Sequence, residues 1–268
     1  MTSFAKYLQA LQRYGEFLFR RSLKVPRFFN RNIVWISAGW VGVAGLIASL
    51  RMAFPASPIH NFSDSLPILV AYASVILAPI CGYMLARWAY PNEQSRTPLD
   101  FHLSFVGRWK RIDPEEAKRD PLFGPVGFLA SLLIGLVLNV VVRTGEYYVA
   151  VPAMSTHAPN WGLELFWTMT LDLVVMNFLY MVAFVMALRS IPLFPRMLLF
   201  VWLTDIVMQL VIAQHMANVS TLPSEVISPL VSLLQGNVTK VLISVAVWLP
   251  YLILSRRVNL TYRSRKPA

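Results

Sequence analysis

Residues 161–188 read WGLELFWTMTLDLVVMNFLYMVAFVMAL and residues 197–216 read MLLFVWLTDIVMQLVIAQHM, with only RSIPLFPR (189–196) between them. Each run is long and apolar enough to cross a bilayer as a helix, and the eight-residue connection makes the two an antiparallel hairpin. Pro192 and Pro195 stop the helices, and Arg189 and Arg196 mark one membrane face. One aspartate lies in the middle of each run, Asp172 and Asp205, with Gln209 one turn beyond Asp205 on the same face. A carboxylate at that depth costs a few kcal/mol on insertion scales, so each must face protein or water. The rest of the chain is placed around this hairpin.

Composition agrees with the hairpin. Hydrophobic residues make up 56% of the 268 and charged residues 14%, where a soluble domain carries about 25% charged. The charge is confined to gaps between apolar runs. Further spans are expected at about 33–54, 66–89, 125–142 and 238–254, giving six. The fold class is therefore all-α: a polytopic transmembrane helix bundle with an N-terminal amphipathic interfacial helix. That helix is read at 4–23, where Phe4, Tyr7, Leu8, Leu11, Tyr14, Phe17 and Leu18 share one face and basic residues lie largely off it. Four segments follow: 1–32, a cytoplasmic amphipathic segment; 33–90, a two-helix membrane unit; 91–123, a basic cytoplasmic loop; and 124–268, a four-helix membrane domain with a basic C-terminal tail. Within the loop, Asp113-Pro114-Glu115-Glu116 is a helix start, with the aspartate as cap and the proline in the first turn.

Six spans with both termini cytoplasmic put 21 of the 24 Lys and Arg on the inner side, leaving Arg51, Arg143 and Lys240 for the other. This is the positive-inside asymmetry. It accounts for the net charge of +11 without nucleic acid. The partners expected are the lipid bilayer, anionic lipids at the cytoplasmic face and a membrane-protein partner.

Small residues recur every four positions at Ser74, Ala78, Gly82 and Ala86, and at Gly127, Ser131 and Gly135. One of the two, Ser74/Ala78/Gly82 or Gly127/Ser131/Gly135, is expected to line a close helix–helix contact. The second continues into Asn139 and Arg143, followed by an outer loop with Glu146, Tyr147 and Tyr148. Asn139, Arg143, Asp172, Asn177, Asp205, Gln209 and Lys240 then form a candidate intramembrane polar cluster. It serves either as hydrogen-bonding glue between helices or as the ion path of a proton- or ion-coupled transporter.

No catalytic, cofactor-binding or metal-ligating set is expected. The four histidines (60, 102, 157, 215) are scattered, Cys81 is the only cysteine, and no phosphate loop, HExxH or GxSxG occurs. Ser131 or Ser244 beside an aspartate would be a generic arrangement for an intramembrane hydrolase. The role expected is that of a non-enzymatic accessory membrane protein.

SIPLFPRMLLFVWL (190–203) and VAVWLPYLILSRRVNLTY (245–262) resemble a bacterial inner-membrane family of four spans, domain-of-unknown-function family 2569. The matching residues of the ending are Trp248, Pro250, Tyr251, Ser255, Arg256, Arg257, Val258, Thr261 and Tyr262, and the Phe-Pro-Arg at 194–196 opens a span in the same way. The resemblance covers roughly residues 124–263. It implies a four-helix membrane fold in a bacterial inner membrane and, as the family has no assigned activity, transfers no catalytic residue.

Overall fold

The computed structural model describes residues 19–90, 108–219 and 222–268. The amphipathic helix expected at 4–23 lies almost wholly outside them. Among the described residues are helices α1 (Lys24–Ala53), α2 (Phe62–Ala89), α3 (Pro114–Arg119), α4 (Phe128–Ala150), α5 (Asn160–Leu188), α6 (Phe194–Ala217), α7 (Ser224–Leu254) and α8 (Arg256–Arg263), with two short strands, β1 (Trp109–Arg111) and β2 (Arg265–Pro267). All but α3 and α8 are long and apolar enough to cross a membrane. The protein is a multi-pass helical membrane protein.

The centre of the bundle is α5, whose apolar stretch is the most buried of the six and which packs on α2, α4 and α6. Its turn into α6 is tight. Ser190 adopts a left-handed φ of 54°, and the Ile191 N–H reaches back to the Met186 carbonyl, closing the C-terminus of α5. Arg189 donates to the carbonyl of Tyr90 at the end of α2, so the basic end of the hairpin also finishes its neighbour.

Within residues 33–90, α2 lies along α5. A Cβ built on Gly82 would sit 2.5 Å from the Phe178 carbonyl oxygen; only glycine lets the two backbones approach this closely. Ala78 and Ala86 on the same face are buried. The second ladder behaves differently. Gly127 lies before α4 with φ 66°, Ser131 is exposed and bonds back to Phe128, and a Cβ on Gly135 would meet nothing within 4 Å. Gly127 approaches the Arg257 side chain of α8 at 3.4 Å rather than a helix backbone, so this ladder makes no close backbone approach of the Gly82 kind; the register of α4 is set by Leu129, Leu132, Leu133 and Leu136, all buried.

Two spans are longer than expected. The helix expected to end at 142 continues to Ala150, which puts Glu146, Tyr147 and Tyr148 on α4 rather than in a loop. The helix expected to begin at 238 begins at Ser224 and runs through Pro229 and Pro250.

At the basic end the chain adds structure beyond the spans. Asp113 caps α3 by accepting the Glu115 N–H. The C-terminal tail pairs antiparallel with the loop strand, Lys110 opposite Lys266, and Lys266 reaches Glu116 and Asp120. The Leu122 N–H, and after it Lys266, hold the Asp120 carboxyl below its ordinary range.

The two glycines separate in a substitution experiment. Gly82→Leu should destabilise the protein in detergent by about 3 kcal/mol, the upper range for overpacking, whereas Gly135→Leu should leave the melting temperature unchanged. Equal melting of both variants would place α2 away from α5.

Candidate functional site

The apolar interior is in two parts. One cluster lies toward the basic end and includes Leu133, Met176, Phe184, Phe194 and Leu198. The other lies toward the opposite end and includes Tyr72, Phe166, Leu173, Ile212 and Leu234. Between them runs a layer of buried polar side chains.

Its centre is Arg143 on α4. One guanidinium nitrogen, Nη1, donates to both carboxylate oxygens of Asp205 on α6 at 2.8 Å. The other, Nη2, donates to Oδ2 of Asp172 on α5 at 2.6 Å. The remaining oxygen of Asp172 accepts Gln209 Nε2 at 3.1 Å, and Gln209 Oε1 accepts Asn237 Nδ2 from α7 at 3.0 Å. The Tyr180 hydroxyl donates to Asp205 Oδ2 at 2.8 Å. Arg143, Asp172, Asp205, Gln209 and Asn237 are all buried. The network joins four helices, α4 to α7. With both carboxyls ionised the triad carries one net negative charge; one added proton makes it neutral.

Seven residues were expected to cluster, and four of them, Arg143, Asp172, Asp205 and Gln209, are bonded together. Asn177 lies one helical step away and donates instead to Thr144 on α4 at 2.8 Å. Lys240 on α7 pairs with Glu146 on α4 outside the network. Asn139 borders the same region, and its Nδ2 is buried with no partner. Arg143, counted above on the outer side, is a buried bundle residue instead. Two members were not expected. Asn237 lay just outside the span begun at 238, and Tyr180 read as one more aromatic in an apolar run, although it follows Asp172 by two turns on the same face.

A cavity of about 260 Å³ runs between α4 and α7 down to Arg143, Asp205 and Tyr180. Its walls include Leu132, Leu136, Trp202, Val241 and Trp248, with Gly135 leaving one side open. A second cavity of about 20 Å³ lies beyond Arg143 against Asp172 and Leu173, large enough for one water. Each aspartate therefore borders a different space, with Arg143 common to both.

The other candidates separate from this site. Ser244 borders the large cavity, but its hydroxyl donates to the Lys240 carbonyl of its own helix, and Ser131 bonds to Phe128. Neither has an aspartate partner. His60 and His157 are brought together, with ring centroids 5.3 Å apart, and His157 Nε2 lies 3.2 Å from Asp64. His215 approaches Glu164 at 3.5 Å, and His102 lies outside the described residues. Among the described residues no group of three His, Cys, Asp or Glu could hold a metal ion.

Compared with protein families, with curated proteins and with solved structures, the chain finds no match in any of the three.

The network predicts strongly unequal mutants. Arg143→Met leaves two carboxyls buried without their cation and should cost about 3–5 kcal/mol, read as detergent melting. Lys240→Met, at the half-exposed pair, should cost less than about 1 kcal/mol. Comparable losses would show that Arg143 is not the centre of the layer.

Proposed function

We propose that this chain is a non-enzymatic accessory protein of a bacterial inner membrane, with both ends of the chain cytoplasmic, acting through contact with lipids or a membrane-protein partner. The supporting observation is the matched state of the buried layer. Both aspartates end on Arg143, with Tyr180 as a further donor to Asp205 and Gln209 on the other oxygen of Asp172. Side chains bonded in this way hold α4, α5, α6 and α7 in one arrangement, as polar residues do in helix bundles. The division of basic residues supports the orientation, and the resemblance to family 2569 over residues 124–263 supports the location. Anionic lipid at the basic face fits Arg256, exposed at the start of α8.

A second reading rests on the cavities. Asp205 borders one and Asp172 the other, and a triad with one guanidinium for two carboxyls can take up a single proton. That is the arrangement a small proton- or ion-coupled transporter would use.

Asp→Asn substitution separates the two. It preserves shape and much of the hydrogen bonding while removing a titrating group. An accessory protein should tolerate D172N and D205N, each keeping its co-purifying partner or lipid, and reconstituted vesicles should show no pH- or sodium-dependent uptake. Uptake by the wild type that is lost in both folded variants would establish the transporter. A reporter active only outside the cytoplasm should stay silent when fused at Ala268, and its activity would overturn the orientation.

A further inference from the structure

The large cavity has a shape and a chemistry that the layer does not use. It is bordered by α4 from Leu132 to Glu146 and by α7 from Asn237 to Trp248, which at 1.5 Å per residue is roughly 20 Å of helix. The two helices are joined at its ends. Phe128 stacks on Trp248 with centroids 4.7 Å apart and meets Tyr251 edge-on at 4.9 Å; at the other end Lys240 pairs with Glu146. Between these ties both walls belong to membrane-spanning helices, so an entry between α4 and α7 faces hydrocarbon and admits a molecule soluble in it.

The lining restricts the head of such a molecule. Arg143 is bound by two carboxylates and Lys240 by Glu146, so each cation lining the cavity already has its charge offset against an anionic head. Both oxygens of Asp205 are held by Arg143 and Tyr180, and the other lining carboxylate, Glu146, is paired with Lys240, so each carboxylate is likewise offset against a cationic one. The head is therefore uncharged. Asn139 borders the cavity with a buried amide nitrogen that has no acceptor, so the head carries an acceptor oxygen. Three aromatic residues, Trp202, Trp248 and Tyr180, line the same space, which favours a flat conjugated group. The volume falls just below the usual range for ligand pockets, sufficient for one ring with its apolar tail leaving between α4 and α7.

We propose that the cavity between α4 and α7 binds the head of a quinone-type lipid, its carbonyl oxygen accepting a hydrogen bond from Asn139 and its ring lying among Trp202, Trp248 and Tyr180. The site is separate from the question of whether the triad is a clamp or a proton carrier, since neither Asn139 nor Gly135 belongs to the triad.

The test uses the full chain in lipid nanodiscs and a short-chain quinone with a ten-carbon tail, read by quenching of tryptophan fluorescence. Wild type should show saturable quenching. Asn139→Leu should raise the dissociation constant about fivefold, the worth of one hydrogen bond. Gly135→Leu, which fills the cavity from a position with nothing within 4 Å, should abolish saturation. Gly42→Leu on α1, equally uncrowded but remote from the cavity, should match the wild type. Quenching that is unsaturable and equal in all four proteins would be simple partitioning into the bilayer and would overturn the proposal. So would saturable quenching displaced equally well by an alkylbenzene of the same tail, which would make the cavity a groove for any apolar chain. If Asn139→Leu fails to fold, the Gly135→Leu result decides alone.

Discussion

A guanidinium among apolar helices is held there only by carboxylates, and a carboxylate at the same depth needs donors. Arg143, Asp172 and Asp205 meet both needs at once, from three helices, with N–O distances of 2.6 and 2.8 Å. This exchange fixes relative depth. The bonds to Asp172 and Asp205 set how far α4 stands along the α5–α6 hairpin, and the step from Gln209 to Asn237 sets α7. The two halves of the apolar interior then pack on either side of a polar floor. Because lipid tails are as apolar as leucine, packing and hydrogen bonds rather than hydrophobic exclusion drive association between spans, and a layer of this kind selects one alignment among many of similar packing.

Around the layer, the helices divide their tasks. Close approach belongs to α2 and α5, where Gly82 meets the Phe178 carbonyl. Separation belongs to α4 and α7, which diverge between the Phe128–Trp248 stack and the Glu146–Lys240 pair. The cavity is the consequence. It reaches the polar layer because Gly135 and Asn139 lie beside Leu132 and Leu136 on α4, where the small residue leaves room against α7.

The sequence showed the six spans, the hairpin and the helix cap at Asp113 because each leaves a local signal in hydropathy or turn chemistry. Span ends were less legible. Arg143 looks like a terminus when charge alone is read, and only its two partners, 29 and 62 residues away, allow the helix to continue to Ala150. Asn237 was missed for the same reason: an amide near a proline and a glycine resembles a loop until Gln209 is seen to bond it. Small-residue spacing pointed equally to two faces. Only one is used, since spacing reports what could approach closely and the leucines of α4 decide which way Gly135 turns. The pairing of the C-terminal tail with the basic loop has no hydropathy signal, and the strands are three residues each.

The central claim is that one guanidinium bridges both carboxylates. Solid-state NMR on protein in lipid, with ¹⁵N in the arginine side chains and ¹³C at the aspartate carboxyls, measures this through dipolar dephasing. Arg143 should dephase the carboxyl signals of both Asp172 and Asp205, assigned by their loss in D172N and D205N. Dephasing of only one of them, or of neither, would contradict the bridge.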